Sequence, residues 1–227
     1  MEAHVAEHFD DAEQQYTAAE LGMWVFLATE VLFFGGMFTG YAVYRGYYSQ
    51  AFSEGSHTLD LVLGTINTGI LLGSSLTMAL SVHAAQTGAK RLIVTFLTAT
   101  LILGAAFLGI KAYEYYHKFE ENHFPGENFQ FEHHTASSSH EQSSASAEES
   151  PANPDRVEIF FSFYFAMTGL HALHMIIGGG LIVWLIVLAA KGRFSPEYST
   201  PVEMVGLYWH FVDIVWVYLF PLLYLIR

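Results

Sequence analysis

Five ionisable side chains lie inside stretches of sequence that are otherwise apolar enough to cross a membrane. Glu30 follows the run LGMWVFLAT, His171 and His174 lie in TGLHALHMIIGG, and His210 and Asp213 lie in YWHFVDIVWVYLF. An aspartate at mid-membrane costs roughly 2.5–3.5 kcal/mol on insertion scales, so such groups pair with one another or serve proton and ion pathways. The chemistry that these residue types could do is proton exchange within the membrane.

More than one interpretation is open for these residues. The neighbours of Glu30 on its own helical face are phenylalanine and methionine, so Glu30 is either protonated or reaches another helix or another subunit. Asp213 could instead pair with His210, three residues earlier, and only fix helix packing. The three histidines could also supply axial haem ligands from opposing helices, although a His–Asp pair accounts for them more simply.

Other charged and metal-ligating residues lie near the ends of the apolar blocks. Lys111 and Glu114 are three residues apart, which predicts a local ion pair at the membrane interface. His133, His134 and His140 lie in or beside the run TASSSHEQSSASAEESPANP. They could bind a metal, but such a composition cannot bury enough surface to fold, so a solvated loop is the simpler interpretation.

The composition is that of an integral membrane protein. Hydrophobic residues make up 52% of the 227 residues and charged residues only 14%, well below the average of about 25% in soluble proteins. The absence of cysteine excludes disulfides, thiolate metal sites and cysteine nucleophiles. The net charge of −13 is concentrated outside the apolar blocks. It disfavours binding to nucleic acid or anionic lipid, and it indicates solvated segments.

Five apolar blocks are each long enough to span a bilayer as a helix. They cover residues about 21–44, 59–83, 92–115, 157–190 and 202–226. The sequence therefore predicts an all-α, polytopic bundle of five transmembrane helices. We expect residues 1–20 to form an acidic cytoplasmic tail and residues 21–227 a single membrane domain, with a flexible acidic outer loop at about 117–156.

The orientation follows from the basic residues of the short loops. Lys90 and Arg91 lie between the second and third blocks, and Lys191 and Arg193 between the fourth and fifth. Because cytoplasmic loops carry an excess of Lys and Arg, this pattern predicts the N-terminus inside and the C-terminus outside. The intramembrane ionisable groups would then share a layer near the midplane, with Glu30 about 13 Å deep at 1.5 Å per residue.

Four segments in this order resemble subunit III of the haem–copper terminal oxidases, in its short, five-helix bacterial-type form. They are ATEVLFFGGMF (28–38), KAYEYY (111–116), TGLHALHMIIGG (168–179) and YWHFVDIVWVYLF (208–220). Longer members of the family have two further N-terminal helices, with phospholipid in the cleft between these and a five-helix bundle. This chain starts at the third of those helices, so phospholipid binding stays open.

The resemblance implies a subunit of the bacterial plasma membrane that has no redox or catalytic centre of its own. Haem and copper would lie in partner subunits. The chain would pack on catalytic subunit I, beside other oxidase subunits and membrane lipids, and would support proton uptake and durable turnover from cytochrome c to oxygen. Glu30 would correspond to the family's buried carboxylate. The embedded polar residues, as packing or lipid contacts, would be His171, His174, His210 and Asp213.

Several alternatives remain at this stage. Subunit III of a quinol oxidase or a nitric oxide reductase would carry the same features, since the donor site lies on another subunit. Membership of a respiratory supercomplex is also open. A stand-alone proton-coupled transporter could use Glu30 and Asp213 as carriers, although no internal repeat of the kind found in many transporters is evident. A structural scaffold without any proton role is the third class.

Overall fold

The computed structural model describes residues 9–120, 154–196 and 198–226. Six helices form most of this part of the chain. They are α1 (Ala12–Tyr47), α2 (Ser49–His57), α3 (Leu61–Gln86), α4 (Lys90–Glu120), α5 (Pro154–Ala190) and α6 (Thr200–Tyr224). All except α2 are long and apolar enough to cross a membrane. The prediction of an all-α protein with five membrane spans is confirmed.

The helix ends differ from the predicted ones where capping residues extend a helix beyond its apolar block. α1 begins at Ala12, not near residue 21, because Asp11 caps it. The Asp11 Oδ1 atom accepts a hydrogen bond from the Gln14 backbone N–H at 2.7 Å, and Gln14 Oε1 accepts one from the Asp10 N–H at 2.7 Å. The predicted acidic tail of residues 1–20 is therefore helical from Ala12 onward.

The predicted outer loop is also shorter than expected at both ends. α4 continues to Glu120 and α5 begins at Pro154, so the predicted boundaries at about 117 and 156 lie inside helices. The rest of this segment, with His133, His134 and His140, lies outside the described residues. The metal interpretation of these histidines stays a prediction.

Helix α2 was not predicted, because SQAFSEGSH is short and polar. It packs on α5 and α6 and fills the space beside the end of α1. Phe52 is fully buried against Tyr41 of α1, with ring centroids 5.1 Å apart. The Ser56 hydroxyl donates to the Leu223 carbonyl at 2.8 Å. These tertiary contacts, and not its own composition, hold the short segment on the bundle.

The centre of the bundle is α6, which packs on α1, α2, α3 and α5. In its most apolar stretch 56% of the residues are buried, compared with 11% in α1. The side chains of Trp209, Trp216 and Tyr224 are almost completely buried and extend from α6 towards α4. A Cβ atom on Gly104 of α4 would lie 2.9 Å from the Trp209 ring, so only glycine allows this approach.

Two short turns at one end of the bundle hold the basic residues used to predict orientation. Gly88 and Gly192 have φ angles of 74° and 69°, a left-handed conformation that favours glycine after a helix. A Cβ atom on Gly192 would lie 3.3 Å from the Lys90 Nζ atom, so the two turns are neighbours. We call this end of the bundle the basic end. Its assignment to the cytoplasm stays a prediction.

Candidate functional site

Glu30 of α1 lies against His174 of α5. Its Oε2 atom is 3.2 Å from the His174 Nε2 atom, and the two side chains are 20% and 14% exposed. Of the alternatives left open by the sequence, the structure shows that Glu30 reaches another helix of the same chain. The pair joins α1 to α5, in addition to the ring contacts of Tyr41 and Tyr44 with Phe163.

The hydrogen bonds of His174 determine how many protons the pair can hold. The His174 Nδ1 atom is 2.8 Å from the Leu170 carbonyl oxygen, which can only accept, so Nδ1 carries a hydrogen and donates. A hydrogen bond between Nε2 and Glu30 then needs one more proton, either on the carboxyl or on the ring. In both cases the pair is neutral overall and shares a single proton. This arrangement can accept or release a proton within the membrane.

Aromatic rings surround this pair on the bundle side. Phe34 meets the His174 ring edge to face at 5.3 Å, and the Tyr208 ring stacks 6.5 Å away. The Tyr208 hydroxyl donates to the His174 carbonyl at 3.0 Å. The rings exclude water from one side of the pair, so the Glu30–His174 hydrogen bond lies in a medium of low dielectric constant.

Lys111 and Glu114 form the ion pair that their spacing predicts, and it lies inside a buried polar cluster. Its position at the membrane interface stays a prediction. The Lys111 Nζ atom donates to Glu114 Oε2 at 3.0 Å and to the Tyr224 hydroxyl at 2.6 Å. Glu114 Oε1 accepts from the Tyr224 hydroxyl at 2.5 Å and from the Tyr164 hydroxyl at 2.8 Å. Lys111 and Glu114 are each 5% exposed. This outer cluster of Lys111, Glu114, Tyr164 and Tyr224 joins α4, α5 and α6 at the end opposite to the basic end.

His171 does not share a site with His174, although the two are three residues apart. The His171 ring lies between Phe107 and Trp216, with ring centroids 5.5 and 5.3 Å away. It is 1% exposed, and neither ring nitrogen has a hydrogen-bond partner among the described residues. The Lys111 Nζ atom lies on the Trp216 ring, 4.7 Å from its centroid. His171 therefore faces the interior, whereas His174 faces α1.

His210 and Asp213 do not form the pair that their spacing allows. The His210 Nδ1 atom is 2.7 Å from the Ser75 hydroxyl of α3. Asp213 is 3% exposed, and within the described part of the chain neither of its carboxyl oxygens has a hydrogen-bond partner. The interpretation of His210 and Asp213 as a satisfied local pair is wrong, because the described contact of the His210 ring is with Ser75 and Asp213 has no hydrogen-bond partner among the described residues.

Comparison with known proteins identifies the family of this five-span bundle. Residues 148–226 match the family described as Cytochrome c oxidase subunit III. Cytochrome c oxidase subunit 3 of Corynebacterium diphtheriae is 32% identical over 209 residues, covering 91% of this chain and 87% of the relative. The chain belongs to the subunit III family of the haem–copper oxidases. Membership of this family implies association with other oxidase subunits.

Relatives of this subunit III include subunits of both cytochrome c and quinol oxidases. Cytochrome c oxidase subunit 3 of Thermostichus vulcanus is 31% identical over 218 residues, covering 96% of this chain and 92% of the relative. Cytochrome bo(3) ubiquinol oxidase subunit 3 of Pseudomonas aeruginosa is 29% identical over 228 residues, covering 99% of this chain and 93% of the relative.

The three embedded histidines of this subunit III each have different neighbours. Phe107 and Trp216 pack on His171, Glu30 occupies the Nε2 side of His174, and Ser75 lies at Nδ1 of His210. Among residues 9–120, 154–196 and 198–226, no three His, Cys, Asp or Glu side chains come together as a metal site.

Sequence reasoning missed the polar partners on distant helices. Ser75, Tyr164 and Tyr224 are far in sequence from the ionisable groups that they contact, with separations of 135, 50 and 110 residues. The weak signal available was their position. Each is a hydroxyl residue within an apolar block, where a polar group needs a partner inside the protein.

Proposed function

We propose that this subunit III serves a terminal oxidase of the bacterial plasma membrane that passes electrons from cytochrome c to oxygen and pumps protons. Within that complex it acts as a non-catalytic subunit that supports proton uptake and durable turnover. The observation that carries the proposal is the contact between the Glu30 carboxyl group and the His174 ring, 3.2 Å apart between α1 and α5. Ionisable residues within a membrane span are by default candidates for a proton pathway.

The redox chemistry belongs to partner subunits in this proposal. The haem and copper would be held by catalytic subunit I and its neighbours, since the embedded histidines of this chain already have partners or packed rings. Cytochrome c is proposed as the donor because the two cytochrome c oxidase relatives are 32% and 31% identical, slightly above the ubiquinol oxidase relative at 29%. A quinol donor is the second candidate, because that relative aligns with 99% of this chain.

The donor is tested on the native complex. The complex is purified through a tag on this chain, its reduced-minus-oxidised spectrum is recorded, and oxygen uptake is measured with reduced cytochrome c or with a quinol. We expect haem bands in the purified complex and oxygen uptake with cytochrome c. Uptake with quinol alone would replace the first candidate by the second. A tagged chain that purifies without haem would overturn both.

The role of Glu30 is tested by Glu30→Gln in the same complex. Glutamine keeps a hydrogen bond to His174 but cannot release a proton, so the fold is retained while the shared proton is lost. We expect lower proton uptake and faster inactivation during turnover. Glu13→Gln, an exposed change in the first turn of α1, is the matched control. Pumping, activity and inactivation rate that all equal those of the control would refute the proton role and favour a scaffold.

A further inference from the structure

A groove runs into the bundle from the basic end, separate from the Glu30–His174 pair. α1 and α3 both pack on α6 but, over their described lengths, not on each other. The space between them forms a cavity of about 300 Å³. Tyr16 and Glu20 of α1, Gln86 and Val82 of α3, and Glu203 and His210 of α6 are among the residues that line it. We call this space the inner groove.

Two stripes of residues at helical spacing follow the inner groove. On α3 the lining residues are Ala79, Val82 and Gln86, and on α6 they include Glu203, Gly206 and His210. Each set spans seven residue steps, or about 10 Å at 1.5 Å per residue. This is about a third of a hydrocarbon core of about 30 Å. Ser75 and Asp213 continue the two sets by one further helical turn beyond the groove.

The mouth of the inner groove holds two carboxylates, and no Lys or Arg is among the described residues that line it. Glu203 accepts hydrogen bonds from the Ser199 hydroxyl at 2.7 Å, the Gln86 amide at 3.1 Å and the Tyr16 hydroxyl at 3.5 Å. All three donors are neutral, and Glu20 lies nearby on α1. In the described part of the chain, neither carboxylate forms a salt bridge with Lys or Arg. Such a mouth attracts protons and other cations from the adjoining water.

Beyond the deep end of the inner groove lies a buried carboxyl group without a hydrogen-bond partner in the described part of the chain. His210 lines the groove and its Nδ1 atom contacts the Ser75 hydroxyl at 2.7 Å, and the buried Asp213 follows His210 one helical turn further along α6. Both Asp213 oxygens lack a hydrogen-bond partner among the described residues. A buried polar group without any partner is costly, and such groups are normally satisfied by protein or by ordered water. His210, Ser75 and Asp213 can all carry or pass a proton.

We propose that the inner groove is a water-filled half-channel through which Asp213 exchanges protons with the membrane face at the basic end. A proton from groove water binds one ring nitrogen of His210, and the ring releases the proton at its other nitrogen, Nδ1, to the Ser75 oxygen. The Ser75 hydroxyl proton passes through a water molecule to the Asp213 carboxylate. One proton is transferred in total, and the imidazole changes tautomer and stays neutral.

Water access is tested by cysteine reactivity, because the chain has no native cysteine. Ala79→Cys, Val82→Cys and His210→Cys are introduced into the groove one at a time, in the complete oxidase in sealed membrane vesicles. Leu76→Cys and Leu80→Cys are matched controls on α3, at side chains 62% and 38% exposed on its outer surface. Each variant is treated with membrane-impermeant cationic or anionic methanethiosulfonate reagents, which react with the thiolate that forms where water is present.

We expect the groove cysteines to react at least about tenfold faster than the controls, and only from the face at the basic end. The cationic reagent should be favoured by about tenfold over the anionic one, since two carboxylates lie at the mouth. Glu20→Gln combined with Glu203→Gln should remove this preference. Groove cysteines that react as slowly as the controls would overturn the proposal, because a lipid chain or a partner helix would then fill the groove.

The relay beyond His210 is tested separately by infrared spectroscopy in acidic D₂O. The Asp213 carboxyl C=O band is identified by its absence from Asp213→Asn. Its isotope shift is then followed over time after the complex is transferred from H₂O to D₂O. We expect exchange in Ser75→Ala to be slower on the order of tenfold, the effect of one lost hydrogen bond on a rate, with Ser74→Ala as the control. Equal rates would overturn the relay step. Neither test depends on the electron donor or on Glu30, so each can fail independently of the proposed function.

Discussion

Replacing Lys111 by methionine tests whether the outer cluster is held together by charge pairing. Methionine has similar length but no charge, so Lys111→Met removes the ammonium group and leaves Glu114 buried at 5% exposure. The carboxylate keeps the Tyr164 and Tyr224 hydroxyls at 2.8 and 2.5 Å but loses its counter-charge. Removing one partner of a buried ion pair costs about 3–5 kcal/mol.

The expected size of the effect lies at the lower end of that range, because two tyrosine donors remain on Glu114. We expect a loss of about 3 kcal/mol, which lowers the Tm of a chain of this size by about 6–12 °C. Glu114→Gln added to Lys111→Met removes the unpaired charge and keeps an amide oxygen for both hydroxyls. The double variant should therefore be more stable than Lys111→Met alone, although its two changes are in one network and do not add.

Thermal unfolding of the detergent-solubilised complex measures both variants. Fluorescence of tryptophan reports on the site directly, because the Lys111 Nζ atom is 4.7 Å from the Trp216 ring centroid. Lys191→Met, at an exposed residue beyond the end of α5, is the control and should leave Tm unchanged. A Lys111→Met variant within 2 °C of the control, or a double variant less stable than Lys111→Met, would refute the reasoning.

Two further predictions concern close packing and helix capping. Gly104→Ala should destabilise the protein by about 1–3 kcal/mol, because its Cβ atom would lie 2.9 Å from the Trp209 ring. Gly109→Ala, with no atom within 4 Å, should be neutral or stabilising, and equal Tm values for the two would contradict this account. Asp11→Ala should weaken the first turn of α1 by about 1 kcal/mol. We expect hydrogen exchange to become faster at the Gln14 amide and to stay unchanged in the rest of the bundle. Unchanged exchange at the Gln14 amide would show that the cap is unimportant.

The sequence predicted the spans because a membrane helix depends mainly on the length and hydropathy of its own residues. It could not identify the partner of Glu30 among three histidines, because that choice depends on how α5 is rotated relative to α1. The spacing of Lys111 and Glu114 pointed to a pair, since both lie on one helix. It did not reveal that Tyr224, 110 residues from Glu114, completes the cluster and places it in the interior.

The same limit explains the interpretation of His210 that failed. A spacing of three residues makes a contact with Asp213 possible, but it carries no information on competing groups from other helices. Ser75 of α3 contacts the ring instead. Helix α2 escaped prediction for the opposite reason, because its stability comes from Phe52 and Ser56 meeting other helices and not from its own composition.

The central position of α6 has a consequence for the biogenesis of the protein. Glu30 leaves the ribosome 144 residues before its partner His174, and α6 follows later still. Until then α1 is in the membrane with an unpaired carboxyl group and without the helix on which most of the bundle packs. α3 and α4 can pack on each other as soon as both are inserted, because they share the most extensive helix–helix contact, whereas α1, over its described length, packs on neither of them and gains most of its partners only when α5 and α6 have been made. Quality control that recognises an exposed intramembrane Glu30 would act in this interval and would distinguish unfinished chains from finished ones.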